Sequence, residues 1–100
     1  MAGALSEAEV AERLPALDGW DVVNGALHKR FLFDDFNAAF GFMTRVALAA
    51  ERLDHHPDWS NSWNAVTIDI VSHAAGGLTA SCFELAARAD TLAAGAHRRN

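Results

Sequence analysis

Residues 34–59 read DDFNAAFGFMTRVALAAERLDHHPDW, and this stretch decides how the rest of the chain is arranged. Asp34 and Asp35 are typical N-cap residues, and the apolar residues after them recur at spacings of three and four, which predicts one long amphipathic helix. Pro57 cannot continue a helix, so we expect the helix to end near Leu53. The apolar stripe that we expect to face the core consists of Phe36, Phe40, Met43, Val46, Ala47, Ala50 and Leu53.

A short helix and a hairpin are predicted before this long helix. Ser6 and Glu9 have the spacing of a capping box, which marks the start of a helix. Asn24-Gly25 lies between the strand-like residues 20–23 and 27–33, and this dipeptide is typical of a tight hairpin turn. A lysine interrupts the apolar face of the second strand, which carries Leu27, Lys29, Phe31 and Phe33.

A second hairpin and a third helix are predicted after the long helix. Residues 66–71 alternate apolar and polar side chains, as a strand with one buried face does. Gly76-Gly77 breaks this strand, and Thr79 is placed to cap a final helix. Because strands and helices segregate rather than alternating singly, we expect an α+β fold in which helices cover one face of an antiparallel sheet.

Composition narrows the class of protein. One hundred residues, 51% hydrophobic and 21% charged, predict a single globular domain spanning residues 1–100. The net charge of −5 argues against a nucleic-acid partner, because only Arg98 and Arg99 cluster. No apolar run approaches the roughly 20 residues of a membrane span. The single cysteine, Cys82, cannot form an internal disulfide, which fits a cytoplasmic protein.

Three histidines are the candidate catalytic residues. His55 and His56 are adjacent at the predicted exit of the long helix, and His73 lies at the end of the predicted strand after it. A hairpin between them would bring His73 back beside the pair. Histidine is the side chain whose ordinary pKa lies near neutrality, so such a cluster predicts proton transfer. Glu51, one helical turn before His55, is placed to orient an imidazole by accepting its N–H.

Two other readings of the cluster are open. Adjacent histidines in a turn are often no more than solvated surface residues. A metal site built from His55, His56 and His73 is a second alternative, because three imidazoles suit catalytic zinc. Adjacent residues rarely both reach one ion, however, and the chain has no ligand-spaced pair of the His-x-x-x-His kind. We therefore expect no metal.

The pattern of residues resembles the pterin-4a-carbinolamine dehydratase family. The matching motifs are Phe36-Asn37, residues 39–48 running into Leu53-Asp54-His55-His56-Pro57-Asp58-Trp59, Asn61 with Asn64, Val71-Ser72-His73, and Gly77-Leu78-Thr79. The resemblance covers about Leu14 to Ala87. It implies a four-stranded antiparallel sheet with three helices packed on one face, in the order α-β-β-α-β-β-α. This agrees with the elements expected above.

The resemblance also implies an activity. The family removes water from 4a-hydroxytetrahydropterin to give the quinonoid dihydropterin, which allows tetrahydrobiopterin to be recycled. It needs no metal or redox cofactor. By position, His55, His56 and His73 match the family's catalytic histidines, and His56 is our first choice for the main acid or base. The positions expected to contact substrate are Asp54, Trp59, Val71, Ser72 and Ala74. Cys82 departs from the family, in which an acidic residue is common there.

Partners follow in part from the resemblance. It implies a homodimer or homotetramer, a small-molecule pterin substrate and a functional link to an aromatic amino-acid hydroxylase. Phe42, Leu48 and Ala49 fall outside the apolar stripe of the long helix, and we expect this second patch to contact another subunit. The alternative function is a non-catalytic module of the same fold that binds pterin or acts as a dimerisation partner or coactivator.

Overall fold

A computed structural model describes residues 3–94 and shows an α+β fold of three α-helices and four strands. The elements are α1 (Glu7–Arg13), β1 (Asp21–Val23), β2 (Ala26–Leu32), α2 (Phe36–Leu53), β3 (Asp58–Ser62), β4 (Ala65–Ile70) and α3 (Ala80–Ala93). This confirms the predicted order α-β-β-α-β-β-α. Arg98 and Arg99 lie outside the described residues. No described helix is long and apolar enough to cross a membrane.

The four strands form one antiparallel sheet in the order β1-β2-β4-β3. Asn24 and Gly25 join β1 to β2 with positive φ angles of 51° and 81°, as the predicted tight hairpin requires. The second predicted hairpin pairs β3 with β4 and turns at Trp63-Asn64. β4 lies between β2 and β3, so it connects both hairpins into one sheet.

The helices cover one face of the sheet, where the core lies. The core side chains of the sheet are fully buried: Leu27, Phe31, Phe33, Val66, Ile68 and Ile70. Phe42 of α2 packs between two of these, with ring centroids 4.8 Å from Phe31 and 4.9 Å from Phe33. Leu85, Ala86 and Ala89 of α3 complete the core. The helices therefore hold the sheet on one side and leave its other face exposed.

Lys29 interrupts the apolar face of β2 without leaving a charge unpaired. Its Nζ lies 2.9 Å from Asp90 Oδ1 and donates to the carbonyl oxygen of Asp18 at 2.8 Å. The same carboxylate accepts the indole N–H of Trp20 at 3.0 Å. The ammonium group also lies 4.7 Å from the ring centroid of Phe31, within cation–π range. This network ties α3 to the first hairpin.

The predicted core face of α2 is wrong for its aromatic residues. Phe36 and Phe40 are 51% and 55% exposed, whereas Phe42 is fully buried. Phe42 and Ala49 are both buried, so neither forms part of the predicted subunit-contact patch. The helix has apolar residues around much of its circumference, so periodicity alone does not select a face. The close fit of Phe42 between the phenylalanines of β2 selects it.

Candidate active site

The end of α2 sets the direction of the histidine pair. Asp54 adopts the left-handed conformation, with φ 49° and ψ 45°, which ends the helix after Leu53 as predicted. Its N–H donates to the carbonyl oxygen of Glu51 at 3.2 Å, and the N–H of His55 donates to that of Ala50 at 3.0 Å. This pair of bonds is a Schellman motif. Aspartate tolerates the left-handed conformation better than most residues, so the exposed Asp54 also has a structural reason to be there.

His55 turns inward, toward the start of α3. Its Nε2 lies 3.2 Å from the Sγ atom of Cys82, a fully buried residue in the first turn of that helix. Burial of the ring lowers the pKa of His55 from its ordinary value of 6.5, and the nearby His56 lowers it further. The imidazole of His55 is therefore biased toward its neutral form.

His56 turns outward and pairs with Glu51. Its Nε2 lies 2.5 Å from Glu51 Oε1, and both side chains are largely exposed. The predicted orienting role of Glu51 thus falls on His56, not on His55 one helical turn after it. A carboxylate at Nε2 accepts the N–H of that nitrogen, which leaves Nδ1 as the ring nitrogen of His56 that Glu51 does not bind.

His73 reaches the same region from the end of β4. Its Nε2 lies 3.6 Å from Asp58 Oδ2, the carboxylate just beyond His56 in the chain, and its side chain is 83% exposed. The hairpin of β3 and β4 thus places His73 beside Asp58, the first residue of β3, and the closeness of His73 to His55 and His56 stays a prediction. The three histidines come from two segments and have three different partners: a thiol, a close carboxylate and a looser carboxylate.

The backbone after β4 folds into a tight turn. The Ser72 N–H donates to the Gly77 carbonyl at 2.9 Å, and the Ser72 carbonyl accepts from the N–H groups of Gly76 at 2.9 Å and Gly77 at 3.1 Å. Ser72 Oγ accepts from the Ala75 N–H at 3.2 Å. These bonds fix the segment that carries His73, and they occupy the backbone polar groups of Ser72 within the turn.

The remaining predicted contact positions lie around this turn and along β3. Val71 and Ser72 are half-buried, and Ala74 is exposed. Trp59 pairs with Ile68 across the sheet and packs partly against the core. Its indole therefore contributes to the packing of the core and is only partly available to a ligand. Roles in substrate binding for Asp54, Trp59, Val71, Ser72 and Ala74 stay predictions.

The contact between His55 and Cys82 was missed by the sequence reasoning, which noted Cys82 only as a departure from the family. No spacing rule connects a histidine after one helix with a cysteine 27 positions later, and the contact follows from how α3 packs on α2. Among residues 3–94, no group of three or more His, Cys, Asp and Glu side chains is arranged to hold a metal ion. The three-histidine metal site considered above has no matching geometry there.

A separate groove of about 820 Å³ lies between α2 and α3. It is lined by Arg45, Leu48, Glu51, Arg52, Glu84 and Arg88, among others. None of the three histidines lines it. Its only member with a role near the histidines is Glu51, which binds His56. The groove therefore adjoins the histidine cluster at Glu51 but is not lined by any of its imidazoles.

The site belongs to a small α+β domain that carries imidazoles at the exit of α2 and at the end of β4. The family model described as pterin 4 alpha carbinolamine dehydratase matches residues 3–92. The chain therefore belongs to the pterin-4a-carbinolamine dehydratase family, as the resemblance indicated.

Curated relatives and a solved structure agree with this membership. A Solibacter usitatus protein, provisionally named a pterin-4-alpha-carbinolamine dehydratase, is 53% identical over 95% of this chain and 100% of its own length. A Chelativorans protein with the same provisional name is 49% identical over 90% of this chain and 94% of its own length. The crystal structure of a transcriptional coactivator/pterin dehydratase from Brucella melitensis has a TM-score of 0.88 and 42% identity, covering 91% of this chain and 99% of that one.

Proposed function

We propose that this protein dehydrates 4a-hydroxytetrahydropterins by histidine acid–base catalysis. The observation that supports the proposal most strongly is that the three imidazoles have three different partners. His55 faces Cys82, His56 pairs with Glu51, and His73 lies near Asp58 at the start of β3. Family membership supplies the substrate class. The geometry supplies imidazoles with different partners, and a reaction with two proton transfers requires both an acid and a base.

The reaction breaks one bond to oxygen and one to hydrogen. The C4a–O bond breaks as the hydroxyl receives a proton and leaves as water, and the N5 proton is lost as the C4a=N5 double bond forms. One acid and one base of near-neutral pKa meet both needs, each contributing about 10²–10⁴-fold in rate. We assign the main acid/base role to His56, whose ring is oriented by Glu51. His55 and His73 serve the opposite proton transfer or position the hydroxyl.

The pterin ring is proposed to lie against the segment that follows β4. The backbone of Val71, His73 and Ala74 offers donors and acceptors for its pyrimidine edge, whereas Ser72 has its backbone groups bonded within the turn. Asp54 and Trp59 are proposed to bound the site from the α2 side and from β3. The reaction as written consumes no electrons and needs no Lewis acid, so we propose no metal or redox cofactor.

We propose that the protein acts as a homodimer or homotetramer in the cytoplasm, in support of an aromatic amino-acid hydroxylase. Phe36, Phe40 and Leu48 are exposed on the outer side of α2, and apolar side chains on one helix favour contact with another subunit. Phe36 and Phe40 are thus proposed for the subunit contact that the sequence predicted for Phe42. Sedimentation of the protein across a range of concentrations tests this assignment.

A stopped-flow assay tests the activity directly. The carbinolamine is generated in situ by a hydroxylase, and its disappearance is followed with and without this protein. We expect acceleration in proportion to protein concentration, unchanged by a chelator. A rate equal to the spontaneous rate, with pterin binding detected separately, would support the alternative of a pterin-binding module without turnover. Loss of the rate with chelator would favour a metal mechanism.

A further inference from the structure

Cys82 is a partner of the histidine cluster that none of the expected roles includes. It occupies the third position of α3, where a glutamate commonly reaches back to the N-cap residue. Here the Thr79 N–H donates to its sulphur at 3.4 Å, and the Thr79 hydroxyl lies 3.5 Å away. The sulphur is fully buried and faces His55 Nε2 at 3.2 Å. It therefore links the start of α3 to the exit of α2.

The contacts of the sulphur indicate where its proton lies. Because the sulphur already accepts the Thr79 N–H, its own S–H is available to donate. Its two candidate acceptors are the Thr79 hydroxyl at 3.5 Å and the His55 Nε2 at 3.2 Å. The imidazole nitrogen is both the nearer and the more basic of the two. A ring that accepts at Nε2 carries its own proton on Nδ1 when it is neutral.

We propose that Cys82 is a positioning residue for His55: its thiol donates to Nε2, holds the ring as the neutral Nδ1–H tautomer and thereby presents a neutral N–H donor to the pterin hydroxyl. This assignment deepens the proposed function and rests on it for the role of the ring in the reaction. The contact between Cys82 and His55 itself stands on geometry alone.

The other groups around His55 are consistent with a neutral ring. His56, on the same segment, disfavours a positive charge on its neighbour, and burial has the same effect. The nearby carboxylates face other partners: Glu51 binds His56, Asp58 lies near His73, and Asp54 is exposed. A thiol can offer an S–H to the ring, whereas an ionised carboxylate can only accept. The cysteine therefore orients the ring without drawing a proton onto it.

Nitrogen-15 NMR of histidine-labelled protein tests the tautomer without any substrate. In the natural protein we expect the Nδ1–H form of His55, and in Cys82→Ser the same form, because the hydroxyl keeps a donor. In Cys82→Ala we expect a mixture of both tautomers. In Cys82→Asp we expect Nε2 to be protonated and the ring pKa to rise by about one unit or more, because an acceptor and a negative charge replace the donor.

Kinetics then connect the tautomer to the reaction. We expect kcat of Cys82→Ala to fall roughly three- to tenfold, as for the loss of one modest hydrogen bond, with a smaller change in KM. The acid limb of the pH profile of Cys82→Asp should move to higher pH together with the ring pKa. Val46→Ala, which also removes buried volume from the core, is the matched control and should move neither the tautomer nor the pH profile.

Two results would overturn the proposal. One is a His55 ring that carries its proton on Nε2 in the natural protein. The other is a tautomer and ring pKa that are the same in the natural protein, Cys82→Ala and Cys82→Asp. If the natural protein shows the Nδ1–H form but no dehydration, the proposed function fails while the positioning contact stands, so the two failures are distinguishable.

Discussion

His56→Ala is expected to remove most of the dehydration rate while leaving the free energy of unfolding almost unchanged. If His56 is the main acid or base, the rate should fall by about 10²–10⁴-fold, which corresponds to roughly 3–5 kcal/mol of activation free energy. The side chains of His56 and Glu51 are 57% and 76% exposed. An ion pair so open to water contributes between about 0 and 1 kcal/mol to stability.

The assay compares two histidine variants side by side. His28 also pairs with an aspartate, Asp69, at 2.8 Å and is partly exposed, but it lies on the opposite face of the sheet from the helices. His28→Ala is therefore the matched control, with a similar small cost in stability and a dehydration rate within about twofold of the natural protein. Turnover by His56→Ala equal to that of His28→Ala would refute the assignment, as would a loss of rate that follows a loss of fold in thermal unfolding.

Three further predictions concern the packing of the core, the network around Asp90 and the pH dependence of the free energy of unfolding. Phe42→Ala should lower the free energy of unfolding by about 3–5 kcal/mol, because the ring is fully buried; a loss below about 1 kcal/mol in urea unfolding would contradict the orientation of α2. Asp90→Ala should cost about 1–3 kcal/mol, because Lys29 and an indole N–H lose their shared acceptor, and an unchanged urea midpoint would show that the network is not structural. The pKa of His55 is lowered in the folded state, so the unfolded state binds more protons at a pH below the ordinary pKa of histidine. The free energy of unfolding should therefore fall as pH drops from 7 toward 5, and it should fall less in His55→Gln. The same pH dependence in both proteins would count against the burial of the ring.

The element order followed from local rules that this sequence obeys. Asn24-Gly25 supplies the positive φ angles of a tight hairpin, and Ser6 with Glu9 forms both hydrogen bonds of a capping box, at 3.1 and 2.8 Å. Such features depend on residues within a few positions of one another, so the sequence displays them directly. The hairpin of β3 and β4, which places His73 beside Asp58, was also predictable because it needs only a turn between two adjacent strands.

The missed features depend on contacts between distant elements. The face of α2 was predicted incorrectly because its apolar residues exceed one stripe, and the rings of β2 decide that Phe42 is buried and Phe40 is not. The sequence did not explain why Lys29 interrupts the apolar face of β2, because its acceptor Asp90 lies 61 positions away. The contact between His55 and Cys82 is of the same kind, because packing of two helices creates it.

The central claim is that histidines from two segments form one pterin site. Titration of histidine-labelled protein with a stable, unreactive dihydropterin tests it most directly, by following the ring resonances of His55, His56 and His73. We expect all three to shift together along one saturable binding curve, while His28 on the far face of the sheet does not move. Binding that shifts residues of the groove between α2 and α3 and leaves the three imidazoles unchanged would contradict the claim.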